Sequence, residues 1–294
     1  MFEKSENMSK KIIQAVQNVK SEIPLVNCIT NTITINDCAN AILAIGGSPT
    51  MAEDIDDVCE IIKIANSIVI NMGKLNEERI GAIFKACDCA AKLNKPIVLD
   101  PVGVGVIKLR NKIAIELIEK YNIATIRGNM SEVKAIANLL KIEEMKNVTS
   151  NSAKGVDVSE NDIVLEENLS ENCNIVKGLA KKTKGVIIAS GPIDIISNGK
   201  TIYISKNGDP MMAKITGSGC MLTSIVGTFS GVNDPFTAGI AATIVMGIAG
   251  ENAGKFVKKE QTGTGTFRTK LIDYLYLLNE EKIFNENKLY KINI

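Results

Sequence analysis

Histidine is absent from all 294 residues of the chain. A Ser-His-Asp triad, a Cys-His pair and an imidazole-based zinc site are therefore excluded. Any proton transfer must fall to Asp, Glu, Cys, Lys or Tyr. Tryptophan is absent too, and arginine occurs only four times. An excess of either charge is also missing: 34 basic and 33 acidic residues give a net charge of +1. That balance leaves no electrostatic footprint for nucleic acid or an anionic membrane. No apolar run reaches the ~18 residues of a membrane span. The longest, at 238–249, is rich in Gly and Ala and reads as a buried, tightly packed helix. The N-terminal stretch SKKIIQAVQNVK has no apolar region after it, so it reads as an amphipathic surface helix and not a signal peptide.

Linkers rich in Pro, Gly or Ser, low-complexity tracts and repeats are lacking as well. Length alone, at ~150 residues per domain, permits two domains, but α/β units often run longer. One domain over 1–294 and a cytoplasmic location are expected. The seven cysteines are odd in number, scattered and without a CxxC pair. A reducing compartment with free thiols is the expectation, each Cys acting as a small buried hydrophobe.

Five short apolar runs lack period-2 alternation: PLVNCI (24–29), SIVIN (67–71), PIVLD (96–100), IATIR (123–127) and GVIIAS (185–190). Such runs suit strands buried on both faces of a parallel sheet. Helical patterns lie between them. Thr34 opens one, with Asp37 as a capping-box partner, and Gly46-Gly47 closes it. Asp54 is expected to cap a second, running to Ala65. Asn76 caps a third to Leu93, with Asn94 as its left-handed stop. Further helices are expected at 131–140 and 169–182. This βαβα alternation predicts a doubly wound, mostly parallel sheet flanked by helices. At 193–205, Asn198-Gly199 sits between alternating segments and predicts an antiparallel edge hairpin. Three more helices follow, at 218–230, 235–249 and 266–278.

Ligands of open α/β sheets bind outside the carboxyl ends of the strands. Those ends carry Asn27 to Asn31, Asn71-Met72-Gly73, Asp100-Pro101, Arg127-Gly128-Asn129 and Ser190-Gly191. The sharpest segment is Gly217-Ser218-Gly219-Cys220, a Gly-x-Gly turn running straight into an apolar helix. Its small residues admit a ligand to the backbone, and the first-turn N–H groups face outward at the positive helix end. That makes an anion hole for a phosphoryl group in transfer. Cys220 lies in this first turn, where its thiol pKa is expected to be lowered. Local structure alone offers a plainer reading of each residue. The turn could carry a buried Cys, Met51 could fill core, and Arg127 could make a structural salt bridge. Asp100 could cap a turn, and Glu132 could favour a helix dipole. Other motifs fail. Gly199-Lys200-Thr201 lacks a P-loop's first Gly, since Asp194 stands there. Gly103-Val104-Gly105 lacks the third Gly of a dinucleotide fingerprint, and Gly263-Thr264-Gly265 reads as loop.

In order and spacing, the segments Ile29-Thr30-Asn31, NDCANAILAIGGSPTMA (36–52), LDPVGVG (99–105), IRGNMSE (126–132) and ITGSGCMLTS (215–224) resemble the hydroxyethylthiazole kinase family. The resemblance runs from about 24 to 278. It implies a ribokinase-like fold and ATP-dependent, Mg²⁺-assisted phosphorylation of the hydroxyethyl group of 4-methyl-5-(2-hydroxyethyl)thiazole. It also implies a homotrimer with sites between subunits. It places Asn31, Met51 and Gly217 at the thiazole, and Gly217, Ser218, Gly219 and Cys220 in the anion hole. It makes Cys220 the catalytic group, with Arg127 and Ser190 on ATP. Asp100 and Glu132 would serve the metal through water, Glu132 within an Asn-x-x-Glu motif begun by Asn129. Ser190 stands where the family usually has Thr, with the hydroxyl kept. Cys220 stands where many ribokinase-like kinases carry Asp. The alternatives are another kinase of this superfamily, for a hydroxymethylpyrimidine or a sugar, and a non-catalytic protein binding a thiazole or nucleotide.

Overall fold

A computed structural model describes residues 2–145 and 162–293. The five apolar runs form strands β2 (Leu25–Ile29), β4 (Ser67–Asn71), β5 (Ile97–Asp100), β6 (Thr125–Asn129) and β7 (Val186–Ser190). With the short edge strand β3 (Ser48–Thr50) they make a six-stranded parallel block in the order β3-β2-β4-β5-β6-β7. The expected hairpin is present as β8 (Asp194–Ser197) and β9 (Ile202–Ser205), turning through Gly199 at φ +82°. Beyond β9 the two chain termini extend the sheet. The strand β10 (Leu289–Ile292) pairs antiparallel with β9, and β1 (Phe2–Lys4) pairs with β10. These last strands were not expected, because segments of three and four residues carry too little pattern to stand out.

Helices cover both faces, as the doubly wound reading requires. One face holds α1 (Glu6–Glu22), α2 (Ile35–Ala44), α8 (Ser218–Ser230), α9 (Pro235–Lys259) and α10 (Thr264–Tyr276). Their apolar sides meet Val26, Cys28, Val69, Val98, Val186 and Ile188 of the sheet. The other face holds α3 (Val58–Ile64), α4 (Glu77–Lys92), α5 (Lys108–Lys120), α6 (Met130–Leu139) and α7 (Leu169–Thr183), packed on Ile29, Ile68, Ile70, Ile97, Leu99 and Ile126. Alternate residues of a strand feed opposite cores, which is why these runs show no polar alternation. A last short helix, α11 (Glu280–Glu286), leads into β10.

The 238–249 run lies inside α9, which is long and apolar enough to cross a membrane by length and composition. Of its apolar window 89% is buried within the protein, so it is a core helix, as its Gly and Ala content suggested. The SKKIIQAVQNVK segment is α1, with Ile12, Ala15 and Val19 buried.

Several local expectations need correction. Thr34 makes no side-chain cap bond, and Asp37 turns instead to Arg268 of α10, which donates to both carboxylate oxygens from Nε at 3.0 and 2.9 Å. Asp54 does not cap α3. Its Oδ1 accepts from the Asp56 amide, and the helix begins at Val58. Gly265 is helical, because α10 starts two residues earlier than expected. The cysteines are not all free: Cys59 of α3 and Cys89 of α4 are disulfide-bonded, their Cα atoms 5.7 Å apart. Scattered spacing hid this pair, since two cysteines 30 positions apart carry no sign that α3 and α4 pack side by side. By contrast Asn76 accepts from the Arg79 amide and Asn94 adopts φ +53°, as expected at the two ends of α4.

Candidate active site

The carboxyl ends of β2, β4, β5, β6 and β7 open toward the first turn of α8, and the polar residues collect there. Asp100 ends β5 with 1% of its surface exposed. Its Oδ2 accepts from Asn71 Nδ2 at 2.9 Å and from Thr223 Oγ1 at 2.7 Å. The Arg127 Nη1 lies 3.7 Å from the same oxygen. Burial pushes the Asp100 carboxyl above the usual carboxylate range, while Arg127 and the two hydrogen bonds oppose that shift.

Cys220 joins this group through Asn71, whose Nδ2 also donates to Cys220 Sγ at 3.3 Å. The expected lowering of its thiol pKa does not occur. Burial, and after it the Asp100 carboxylate, push it up to about 11. The helix-end field is outweighed because the sulfur is largely out of water and faces a negative charge.

Gly217 begins α8 at φ +88°, a left-handed conformation that an L side chain rarely adopts. A Cβ there would lie 2.7 Å from Thr34 Cγ2, so the turn packs against the start of α2. The Thr34 amide donates to the Asn31 carbonyl at 2.9 Å, which ties Asn31 to the same corner. Gly73 closes the gap between Asn31 and Asn71: a Cβ on it would sit 2.7 Å from Asn31 Nδ2 and 2.9 Å from Asn71 Oδ1. The N–H groups of Ser218, Gly219 and Cys220 have no partner within an α-helix, which leaves three donors at the positive end of α8.

Arg127 crosses from β6 to this turn. Its Nε donates to Ser190 Oγ at 3.1 Å, and a Cβ on Gly219 would meet its Nη1 at 2.6 Å. A guanidinium thus stands beside the positive end of α8, with Asp100 as its one ion-pair partner among the described residues. Two positive features facing one space suit a polyanion such as a phosphate chain.

Glu132 starts α6 and forms the capping box with Asn129. Its Oε2 accepts from the Asn129 amide and Asn129 Oδ1 accepts from the Glu132 amide, each at 2.9 Å. Its Oε1 takes the Gly103 amide at 2.9 Å, which pins the loop after β5. Burial, then the nearby Asp100 charge, push Glu132 up to about 7. Among the described residues no group of three or more Cys, Asp or Glu could cage a metal ion.

One expected member stands apart. Met51 follows the edge strand β3 and packs half-buried against the α8–α9 core, on the far side of β2 from Asp100 and Arg127. Residues that sequence reasoning missed are Thr223, which ties α8 to Asp100, and Asn71, which bridges Asp100 and Cys220. Asn71 was visible as a strand end. Thr223 is one of several hydroxyls along α8, and nothing in sequence singles it out.

Residues 16–281 match the model of the hydroxyethylthiazole kinase family. A hydroxyethylthiazole kinase of Methanobrevibacter smithii is 50% identical over 284 residues, 97% of this chain and 98% of the relative. One from Clostridium tetani is 41% identical, covering 96% and 98%. The structure of a hydroxyethylthiazole kinase protein from Pyrococcus horikoshii superposes with a TM-score of 0.84 at 31% identity, covering 97% of this chain and all of that one. A ribokinase-like superfamily protein from Enterococcus faecalis shares the fold alone, with a TM-score of 0.55 at 11% identity. The sheet, its order and these matches agree, and the chain belongs to the hydroxyethylthiazole kinase family.

Proposed function

We propose that the protein transfers the γ-phosphoryl group of ATP to the hydroxyethyl oxygen of 4-methyl-5-(2-hydroxyethyl)thiazole, a step of thiamine salvage. The observation that carries this reading is the convergence of Cys220, Asp100 and Arg127 on the first turn of α8. Phosphoryl transfer is mostly positioning and charge stabilisation, and these groups supply both.

The amides of Gly217, Ser218, Gly219 and Cys220 receive the transferring phosphoryl group. Arg127, oriented by Ser190 and Asp100, holds the phosphate chain of ATP, and Ser190 offers a second contact. Asn31 and Gly217 face the thiazole, and Met51 closes its pocket with a polarisable thioether. Cys220 accepts the hydroxyl proton in its thiolate form. That form is minor at neutral pH for a thiol held near 11, so only a small fraction of the protein carries the competent base there, and a loose transition state asks little of it. Asn71 donates to the sulfur and stabilises the thiolate when it forms.

Mg²⁺ suits the donors present. It keeps several waters and takes one or two carboxylates together with substrate phosphates. Asp100 and Glu132 are such a pair, and since Asp100 Oδ2 and both Glu132 oxygens already accept hydrogen bonds, they would hold the ion through water. Bound there, Mg²⁺ neutralises charge on the phosphates.

The functional unit is a homotrimer. Supporting this, Met51 stands at the open sheet edge beyond β2, and Ile33 in the turn after β2 is 76% exposed, so a second copy can complete the pocket. Light scattering should give three chains per particle, and a stable, fully active monomer would contradict it. The chain works as one domain, and its need for ATP places it in the cytoplasm. A coupled ADP-release assay tests the acceptor. Turnover with the thiazole alcohol supports the reading, turnover only with a hydroxymethylpyrimidine or a sugar replaces it, and none with any acceptor would leave a binding protein.

A further inference from the structure

Strands β2 and β3 pair in parallel only as far as Asn27 and Thr50. Past that register the two chains diverge, and side chains take over from the backbone ladder. The Asn27 amide makes the first bridge: its Oδ1 accepts from the Ala52 amide at 3.0 Å and its Nδ2 donates to the Ala52 carbonyl at 3.1 Å. Arg79 makes the second. From the first turn of α4 its Nη2 donates both to the Thr30 carbonyl on the β2 side and to Glu53 Oε2 on the β3 side. The guanidinium therefore fills the gap between the strand ends, at the carboxyl edge of the sheet.

The residues it grips adjoin the thiazole pocket on both sides. Thr30 precedes Asn31, and Glu53 lies two residues after Met51. Arg79 is 6% exposed, and its Nε is buried without a partner. A buried orphan donor of this kind is destabilising, and a core apolar residue would avoid it. Packing alone gives no reason to keep it. The span between Thr30 and Glu53 does, because one guanidinium nitrogen, Nη2, meets an acceptor from each strand at once.

We propose that Arg79 and Glu53 are a positioning pair that sets the distance between Asn31 and Met51, and so fits the pocket to the thiazole ring. This rests on the assignment of Asn31 and Met51 to the thiazole. Neither Arg79 nor Glu53 touches the reacting atoms, so loosening the pair should act on acceptor binding and spare the phosphate side, which is built on β6, β7 and α8.

Steady-state kinetics on the full-length protein tests this with Glu53→Gln, Arg79→Met, Arg79→Lys and the Glu53→Gln/Arg79→Met double variant, with Met51→Ala as reference. Glu53 is 40% exposed, so Glu53→Gln should fold even if Arg79→Met does not. Glu53→Gln and Arg79→Met should each raise KM for the thiazole alcohol on the order of tenfold, the scale of one charge-assisted hydrogen bond. KM for ATP and kcat should stay within about twofold of wild type, a split that general unfolding would not give. The double variant should be no worse than the single variants, and Arg79→Lys should recover part of the loss. If Met51→Ala raises the thiazole KM while Glu53→Gln leaves it unchanged, the positioning pair is overturned and the pocket assignment stands. If Met51→Ala leaves it unchanged as well, the pocket assignment itself fails. Equal losses for ATP and thiazole would also overturn the proposal.

Discussion

The Asn71 side chain donates to Cys220 Sγ at 3.3 Å while the same nitrogen donates to Asp100 Oδ2 at 2.9 Å. A single amide thus couples the candidate proton acceptor to the carboxylate at the end of β5. Cys220→Ser should lower kcat by about 10²-fold or less, because a base contributes roughly 10²–10⁴-fold where it is essential and less in a loose transition state. KM should hardly move. Cys220→Asp should retain substantial activity, since a carboxylate is a competent base. In the wild type, kcat/KM should rise with pH from neutrality toward about 11, as burial and Asp100 hold the thiol protonated below that value. Cys220→Asp should flatten this rise. A fully active Cys220→Ser would leave the thiol as packing and catalysis to the anion hole and Mg²⁺.

Arg127 and Gly219 should report on the nucleotide side. Arg127→Ala removes a charge-assisted contact worth about 1.5–3 kcal/mol, so calorimetry should show ATP affinity falling by one to two orders of magnitude. Thiazole affinity should change little. Gly219→Ala tests the same place from the other partner. Its Cβ would come 2.6 Å from Arg127 Nη1 and must displace the guanidinium, so KM for ATP should rise with the arginine still present. Unchanged nucleotide affinity in both variants would refute the role of Arg127.

Asp194 gives a stability signature. It is buried, accepts from the Gly191 amide at 3.0 Å, and burial pushes it up to about 7. An acid with a raised folded-state pKa adds stability below its unfolded value, near 3.8. That contribution is lost as pH rises through about 7. Asp194→Asn keeps an oxygen for the Gly191 amide and removes the titration. Urea unfolding between pH 4 and 8 should show the wild type losing up to about 4 kcal/mol relative to the variant as pH increases. Parallel curves would mean that the carboxyl stays ionised.

The Cys59–Cys89 bond should stabilise the α3–α4 pair. Closing a loop of 30 residues removes chain entropy worth about 3–4 kcal/mol from the unfolded state. Thermal melts with and without reductant should differ accordingly, and Cys59→Ser should behave like the reduced protein. An unchanged melting temperature would show that the bond contributes nothing.

The contrast between what was legible and what was not follows contact distance. The five buried strands were readable because a strand covered on both faces must be apolar throughout. Gly217-Ser218-Gly219-Cys220 was readable because a left-handed start and small first-turn residues are local requirements. Arg79, Thr223 and the disulfide were not, since each acts on a partner far away in sequence: Arg79 on Thr30, Thr223 on Asp100, Cys59 on Cys89. The helix α5 escaped notice for a different reason. Its N-cap is Ile107, with no side-chain cap, so nothing in the sequence announces its start. The error on the Cys220 thiol arose from weighing its helix end without its burial and the Asp100 charge, which only the fold brings together.

Phosphorus NMR of the reaction mixture would follow the transfer of a phosphoryl group to the thiazole hydroxyethyl oxygen itself. With ATP, Mg²⁺ and 4-methyl-5-(2-hydroxyethyl)thiazole, a phosphomonoester resonance coupled to the adjacent methylene should grow in step with ADP, and Cys220→Ser should slow both together. Inorganic phosphate as the sole new product, or no thiazole-dependent resonance, would contradict the account.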